Sequence, residues 1–535
     1  MPKSAGISLE NTNRARGSAA LAKTVKDLYE RGQTDYNMEP IILQDAAGNA
    51  VGRIKDGDAV VFCCRRGERE IQLTEAFTDP QLNQFPREVF THLPFVILTL
   101  YHDKFKDLPV AFAPSKVQAT LGEVVSQAGF SQVRIAESEK FAHVTFFLNG
   151  GNNQPYPQEE DIRIPSLKGV PFDQYPELSL EKVAQAVIEA IHRGTGLVVT
   201  NFANGDVIGH TSNKAAKIAC AQFVDRHLRE VVEKANAAGY VVIITADHGN
   251  LEVLENADGS AHVSHTTNPV SCLIIDPAAA ETVTPREGKL ADIAPTVLSI
   301  LRVTPPAQMT GKNLAPEHDF GVDRKVLLVI LDGWGISGVP ENDPIAMAET
   351  PFWDSLLARY QHSLLEASGE AVGLKAGKAG NSEAGHINIG AGRVVLQDDV
   401  RLDRAMQDGS FYTNEVICDV IEGVKARGKN LHLIGLLTEK SSHGSMEYPL
   451  AVLKMAKDAG LQHVFLHMIL DGRSTEPGSA PALLKKLEDL MNEIGVGQIV
   501  TGIGRGIALD RDGNYNKTQI AYDALVYGKG RGAGK

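Results

Sequence analysis

The sequence predicts an α/β protein of two domains built on parallel sheets. Short apolar runs recur along the chain, among them Gly196–Phe202, Tyr240–Thr245, Val270–Ile275 and Lys325–Leu331. Unalternated apolar runs of this length are typical of strands buried on both faces of a parallel sheet. Helical patterns such as Leu180–Arg193 lie between them, and this alternation indicates βα units. The length of 535 residues exceeds what one hydrophobic core usually supports.

Three further apolar runs predict strands of the same kind: Leu431–Leu437, Val464–Leu470 and Val60–Cys64. The pattern over Lys214–Ala237 predicts a long helix. Thr310–Arg324 is polar and contains proline and glycine, which predicts an irregular linker. The C-terminal GKGRGAGK is composed of small and polar residues, so we expect that end to fray.

Composition and charge exclude several classes of protein. Hydrophobic residues make up 43% and charged residues 22%, as in ordinary globular proteins. A net charge of −13 argues against a general nucleic-acid binder. The longest apolar runs fall well short of the roughly 20 residues that span a bilayer, and five scattered cysteines favour a reducing compartment. We expect a cytoplasmic monomer without nucleic-acid or membrane partners.

Acidic and histidine residues follow several predicted strands. The carboxyl ends of strands in an open parallel sheet lie along one edge, where ligands bind. Six potential metal ligands belong to this set: Asp206, His210, Asp247, His248, His265 and Asp332. Each alone is equally compatible with a helix cap or a core histidine. Together they predict two divalent ions of the Mn, Zn or Fe type, an arrangement that serves phosphoryl or hydrolytic displacement.

A candidate nucleophile lies in the glycine-rich segment Gly380–Arg393. Ser382 is the hydroxyl of this segment, and a helix that begins here would direct backbone N–H groups at a phosphate. A nearby metal would lower the pKa of the serine. Taken alone, the segment is also compatible with a capping serine in a surface turn.

Basic residues after predicted strands suggest an anionic substrate. Arginine binds carboxylate and phosphate through its planar fork. The candidates are Arg66, Arg69, Arg473, Arg505 and Arg511, with Lys140 as a further cation. Ordinary surface salt bridges and a solvated helix end are the alternative interpretations.

Together these motifs resemble cofactor-independent phosphoglycerate mutases of the alkaline phosphatase superfamily. The resemblance covers nearly the whole chain and rests on specific segments: LDGWG, GNSEAGHINIGAGRVVLQD, ESEKFAHVTFFLNGG, the NFANGD–GHT pair, ITADHGN and SHTTNPV. In the family, the segment that begins here at Lys325 opens the chain. The order therefore resembles that of a circular permutant.

The resemblance implies a domain division and a set of roles. A continuous alkaline-phosphatase-like metal-binding domain would cover residues 116–396, with a joint at about 310–324. A smaller α/β transferase domain that binds phosphoglycerate would comprise residues 1–115 plus 397–535. Asp206, His210 and His265 would hold one metal, and Asp332, Asp247, His248 and Ser382 the other. Substrate would be bound by His443, Arg473, Arg505, Arg511, Arg66, Arg69 and Lys140, with Ser382, Lys140 and Arg473 catalytic.

The implied activity is interconversion of 3- and 2-phosphoglycerate through a phosphoserine, with two Mn²⁺ ions and without 2,3-bisphosphoglycerate. Two positions depart from the family pattern: Ser474 stands where an aspartate is usual, and TEKSSHG replaces a glycine-rich approach to His443. A metal-dependent phosphatase or phosphopentomutase of the same superfamily, and a non-catalytic binding protein that retains the fold, are the alternatives.

Overall fold

A computed structural model describes residues 17–65, 69–114, 116–279, 282–439, 441 and 443–534. The chain forms two compact units within these residues. The first unit combines Met1–Pro114 with Arg401–Lys535, and the second is Ser115–Val400. None of the described helices is long and apolar enough to cross a membrane.

The first unit begins with a mixed segment of helices and strands. Its elements are α1 (Ser18–Tyr29), β1 (Ile41–Leu43), β2 (Ala59–Cys63), α2 (Ile71–Thr78), β3 (Phe95–Thr99) and β4 (Val110–Phe112).

The second unit alternates strands and helices. Its elements are α3 (Leu121–Gln127), β5 (Gln132–Glu137), β6 (Glu159–Ile164), α4 (Leu180–His192), β7 (Leu197–Phe202), α5 (Asn204–Gly209), α6 (Lys214–Ala237), β8 (Val241–Thr245), β9 (Val270–Ile275), β10 (Gly288–Lys289), α7 (Ile293–Ile300), β11 (Val326–Leu331), α8 (Pro344–Met347), α9 (Pro351–Arg359), β12 (His362–Glu366) and α10 (Ser382–Ala391).

Helix α11 (Asp398–Asp408) leads into the remainder of the first unit. This remainder contains α12 (Glu415–Ala426), β13 (Leu431–Leu437), α13 (Glu447–Asp458), β14 (Val464–Leu470), α14 (Ala480–Ile494), β15 (Gln498–Gly504), α15 (Arg505–Ala508), α16 (Tyr515–Tyr527) and β16 (Arg531–Ala533). Short 3₁₀ turns lie at Asp103–Phe105, Phe172–Gln174, Leu290–Asp292, Pro340–Asn342, Gly369–Val372 and Ser410–Thr413, and a π-helical turn at His143–Phe147.

Each unit contains one sheet of eight described strands. The order in the first unit is β16-β1-β15-β14-β13-β2-β3-β4, and in the second β10-β12-β9-β8-β11-β7-β5-β6. The predicted α/β class with two parallel-dominated sheets is confirmed. The apolar runs named from the sequence match the strands to within about one residue, because strands buried on both faces consist mainly of apolar side chains.

Strand β9 corrects one expectation. Val270–Ile275 pairs antiparallel with both β8 and β12, although its apolar run predicted a parallel strand. An apolar run reports burial, and the direction depends on the connection. Residues 246–269 link β8 to β9 without a helical crossover in the described chain, and a parallel neighbour usually needs one.

Two other segments are more ordered than the sequence suggested. The C-terminal residues Arg531–Ala533 pair with β1, so the expected fraying is wrong for this stretch. Thr310–Arg324 contains no helix or strand, as predicted. It is nevertheless packed, because Leu314, Ala315 and Phe320 belong to the core of the second unit.

A buried polar chain crosses the sheet of the first unit. His432 Nε2 lies 3.2 Å from Asp58 Oδ2, His432 Nδ1 lies 2.9 Å from His467 Nε2, and His467 Nδ1 lies 3.0 Å from Thr501 Oγ1. All four residues are buried. Both imidazoles are satisfied as neutral rings when each donates toward the Asp58 side and Thr501 donates to His467. Burial lowers the pKa of both histidines, against the opposing effect of Asp58 on His432.

We predict that this pair makes the stability of the first unit sensitive to acid. Because the folded pKa values lie below the unfolded value of about 6.5, the unfolded chain takes up protons first as pH falls. Unfolding free energy should therefore decline below about pH 6.5, by up to ~1.4 kcal/mol per pH unit for each histidine. Urea unfolding of wild type and His467→Gln from pH 7.5 to 5 measures this decline. If the unfolding free energy of both proteins falls equally with pH, the decline does not come from His467 and the prediction is wrong.

Candidate metal centre and arginine cluster

The sheet of the second unit brings the predicted metal ligands to one edge. Strands β8, β11 and β7 are neighbours, and Asp247, Asp332 and Asp206 follow their respective carboxyl ends. Close backbone contact is required between these loops: a Cβ on Gly205 would lie 2.4 Å from the Asp332 carbonyl oxygen. Glycine at this position therefore allows the carboxylates to converge.

Helix α10 delivers Ser382 to the same place. Ser382 is its first residue, and Asn381 caps the helix by accepting from the Ala384 N–H. A Cβ on Gly385 would lie 2.6 Å from the Asp247 carbonyl oxygen, so this glycine lets the helix pack directly on the Asp247 loop. The glycine-rich segment is thus a helix start against the sheet edge, in contrast to a surface turn.

Lys140 and His248 contact the serine hydroxyl. Lys140 Nζ lies 2.6 Å from Ser382 Oγ and 2.7 Å from a carboxylate oxygen of both Asp206 and Asp332. His248 Nε2 lies 3.0 Å from Ser382 Oγ. Burial opposes the charge on Lys140, but Asp332 and Asp206 outweigh it and raise the pKa of the ammonium. The serine oxygen therefore lies in direct contact with the Lys140 amino group.

His210 and His265 converge on one carboxylate oxygen. Their Nε2 atoms lie 3.2 and 3.0 Å from Asp206 Oδ1 and 3.1 Å from each other. Each Nδ1 lies 2.9 Å from a backbone carbonyl oxygen, of Val263 or Gly380, to which it can donate. This fixes the tautomer so that both Nε2 lone pairs face the same point, as is usual for histidines that bind metals.

A second group of side chains surrounds Asp247 and Asp332. His386 Nδ1 lies 2.8 Å from the Ser382 carbonyl oxygen and 3.4 Å from Asp247 Oδ2. Asn201 donates to Asp332 Oδ2 at 2.6 Å. Burial, then the neighbouring Asp332, raises the pKa of Asp247 to about 6. Asp247 Oδ2 is buried without a hydrogen-bond partner among the described residues, which marks it as an atom suited to a cation.

The donor set fits divalent ions. Two groups of close ligand atoms occur among the described residues: Asp206, His248 and His265, and Asp247, Asp332 and His386. Mixed carboxylate and imidazole donors suit Mn, Zn or Fe ions. The predicted sets place His248 with Asp332 and Asp247. Its Nε2 lies 3.4 Å from Asp247, 3.5 Å from Asp332 and 3.9 Å from Asp206, so it borders both groups.

Sequence reasoning did not identify several side chains of this site. His386 lies one turn after Ser382 on α10, and that i,i+4 spacing was the available signal. Asn201 is the penultimate residue of a predicted strand, and Asn250 donates to Asp206 Oδ1 at 2.9 Å. In the sequence, nothing distinguishes these two asparagines from asparagines that have no role in a site.

Glu252 ties the ligand-bearing loops together. This fully buried carboxylate accepts from the N–H groups of Asn250 at 2.7 Å and Gly335 at 3.1 Å through Oε2. Its Oε1 accepts from Thr266 Oγ1 and from Asn268 Nδ2. The loops that carry His248, His265 and Asp332 therefore share one anchor.

We predict that Glu252→Ala weakens Mn²⁺ binding about 10- to 100-fold, because the loops lose the contacts that orient the ligands. Glu252→Gln keeps an acceptor for the two N–H groups, so it should weaken Mn²⁺ binding less than Glu252→Ala does. Glu255→Gln removes the same charge from an exposed position of the same loop and controls for long-range electrostatics. Calorimetric Mn²⁺ titration gives the affinities, and equal affinity for Glu252→Ala and wild type would rule out the anchor role.

The first unit gathers predicted substrate-binding residues at the corresponding edge of its own sheet. His443 follows β13, and Arg505 follows β15. Arg505 is buried and pairs with Asp471 after β14. Arg69 is also buried and donates to the Leu509 carbonyl oxygen at 3.0 Å. Arg505 Nε has no hydrogen-bond partner among the described residues, which leaves a buried donor suited to an anion.

The remaining predicted residues differ in their surroundings. Arg473 and Arg511 are exposed, after β14 and after α15. Arg66 lies outside the described residues. Arg65, which was not predicted, is buried and donates to the Tyr448 hydroxyl and the Ser441 carbonyl oxygen, both at 2.8 Å. Arg65 was difficult to single out from the sequence, because the adjacent Arg66 offers the same chemistry.

These features define a two-unit α/β protein with a carboxylate–imidazole site for divalent metals. The chain belongs to the metalloenzyme superfamily, whose model matches residues 17–305. A second model, BPG-independent PGAM N-terminus, matches residues 402–535.

Curated relatives are named 2,3-bisphosphoglycerate-independent phosphoglycerate mutase. The protein of Salinibacter ruber is 43% identical over 55% of this chain and 56% of its own. The enzyme designated 1 of Methanosarcina barkeri is 40% identical over 54% of this chain and 56% of its own. The chain thus spans little more than half the length of these relatives. A Leishmania mexicana phosphoglycerate mutase structure aligns with TM-score 0.40 and 28% identity, over 50% of this chain and 53% of its own. The relatives confirm the resemblance predicted from the motifs.

Proposed function

We propose that the chain is a cofactor-independent phosphoglycerate mutase that interconverts 3- and 2-phosphoglycerate through phosphorylated Ser382. The observation that carries the proposal is the serine itself. Ser382 is the first residue of helix α10. Its hydroxyl oxygen lies 2.6 Å from the Lys140 ammonium, beside the carboxylates of the candidate metal centre. An activated serine at a helix N-terminus with a fixed cation suits attack on a phosphate.

The geometry of each unit supports a role for each of these residues. Ser382 Oγ attacks phosphorus, and Lys140 stabilises the charge that spreads over the transferring oxygens. Divalent ions held by Asp206, His210 and His265, and by Asp332, Asp247, His248 and Ser382, would favour the serine alkoxide and neutralise phosphoryl charge. In the first unit, Arg69, Arg505 and His443, with Arg66, Arg473 and Arg511, would bind the glycerate and its phosphate.

The proposal includes finer features of the enzyme. The ions are Mn²⁺, the protein is a cytoplasmic monomer, and 2,3-bisphosphoglycerate is not required. Residues 116–396 would form the phosphatase-like domain, and 1–115 with 397–535 the transferase domain. The order of the segments is circularly permuted. The match of an N-terminal family model to the C-terminal residues 402–535 supports that order.

An enolase-coupled assay of the purified chain with 3-phosphoglycerate and Mn²⁺, without 2,3-bisphosphoglycerate, tests the function. We expect 2-phosphoglycerate to form and free phosphate to remain a minor product. Dominant phosphate release would favour a phosphatase of the same superfamily, and turnover of ribose phosphates alone would favour a phosphopentomutase. Inactivity together with less than one bound divalent ion per chain would favour a non-catalytic protein.

A further inference from the structure

A buried carboxylate faces His443, one of the predicted substrate-binding residues of the first unit. Glu70 is fully buried at the start of α2, and its Oε1 lies 3.2 Å from His443 Nδ1. Its Oε2 has no hydrogen-bond partner among the described residues. A buried carboxylate with so few partners costs stability. A role in the chemistry of the neighbouring histidine accounts for its presence.

The elements around Glu70 hold this pair in one arrangement. The Arg65 N–H donates to the His443 carbonyl oxygen at 2.9 Å, and Cys64 forms a β-bridge with Gly444. The end of β2 is therefore joined to the loop that carries His443. On the other side, Thr74 Oγ1 donates to the Glu70 carbonyl oxygen at 2.8 Å. The position of the carboxylate relative to the imidazole is thus set by the backbone.

Several ionisable side chains surround the pair. Burial raises the pKa of Glu70, and the neighbouring His443 and Arg505 partly oppose that rise. The half-buried Tyr101 and the buried Cys64 also interact electrostatically with Glu70, and their pKa values are raised by burial and by this carboxylate. The tyrosine and the thiol therefore stay neutral, and the imidazole of His443 lies within hydrogen-bond distance of Glu70.

We propose that Glu70 is the positioning residue for His443 and that His443 exchanges a proton with the hydroxyl of bound glycerate. Glu70 accepts the Nδ1 hydrogen, which places the imidazole lone pair on Nε2. The hydroxyl proton passes to Nε2, and the electron pair of the broken O–H bond stays on the glycerate oxygen. In the opposite direction the proton returns from Nε2. This inference rests on the proposed function.

Variants of Glu70 separate positioning from structure. Glu70→Ala should lower kcat for phosphoglycerate interconversion by ~10²- to 10⁴-fold, the range of general acid–base catalysis, and change KM less than about threefold because the arginines remain. Glu70→Asp keeps the charge at a shorter reach and should restore part of the loss. Glu75→Gln, which removes a charge from the same helix, is the matched control. A Glu70→Ala enzyme that folds and keeps kcat within threefold would overturn the proposal.

The imidazole itself provides a readout that needs no turnover. In protein labelled with ¹⁵N-histidine, the resonance lost in His443→Asn identifies His443. We expect the Nδ1–H tautomer in wild type and a shift toward Nε2–H in Glu70→Ala. An unchanged tautomer would refute the positioning role. If wild type lacks mutase activity, the proposed function fails, and the tautomer measurement still decides whether Glu70 orients His443.

Discussion

Replacing Ser382 by alanine should abolish the phosphoenzyme and lower mutase turnover at least ~10⁴-fold, the scale on which loss of a covalent nucleophile is felt. The substitution removes one oxygen from a site in which Lys140, His248 and Asp332 each contact it. Helix α10 should persist, because its cap is provided by the Asn381 side chain. Incubation with ³²P-labelled 3-phosphoglycerate and rapid acid quench measures the phosphoenzyme.

Ser368→Ala is the matched control for this experiment. Ser368 donates to the Thr267 carbonyl oxygen in the same unit, and within the described part of the chain its hydroxyl makes no hydrogen bond to Ser382 or Lys140. It should retain the activity of the wild type. Substantial turnover or acid-stable labelling in Ser382→Ala would show that another group is phosphorylated. Metal analysis of both variants shows whether loss of activity follows from loss of the ions.

Replacing Lys140 by methionine should reduce kcat at least ~100-fold while the protein still folds. The ammonium is nearly fully buried and contacts two carboxylates and the serine oxygen. A fixed charge of this kind stabilises transition-state charge far more strongly in a buried site than in water. Methionine has a similar length and no charge, so packing is largely retained. Coupled assays and single-turnover labelling measure the effect on each half of the reaction.

Lys217→Met serves as the comparison for Lys140. Lys217 is also buried, but its ammonium donates to the His262 carbonyl oxygen. Its substitution should therefore affect stability more than turnover. If the two variants lose kcat equally, the loss comes from removing any buried ammonium group. The position of Lys140 beside Ser382 would then not explain it.

Much of the fold follows from local properties of the sequence. Val464–Leu470 and Leu431–Leu437 were predicted to the residue, because a strand buried on both faces consists mainly of apolar side chains, here with one histidine in each strand. The convergence of Asp206, Asp247 and Asp332 was predictable for a related reason. Residues that follow parallel strands must lie along one edge of the sheet, whatever their separation in sequence.

Other features were decided only by the tertiary structure. The antiparallel direction of β9 depends on its connection and its neighbours, which an apolar run does not encode. The terminal strand Arg531–Ala533 is small and polar, and it is ordered because β1 offers it backbone partners. Main-chain hydrogen bonds of this kind carry no side-chain signature.

The same division applies to the two sites. The sequence by itself determined which residue types could bind metal and phosphate, because those chemistries require carboxylate, imidazole, hydroxyl and guanidinium groups. Only the tertiary structure placed Glu252 between three loops and Glu70 against His443. A buried carboxylate acquires its role from partners that are distant in sequence, 373 residues away for Glu70 and His443. Such a role depends on where the backbone brings the partners together.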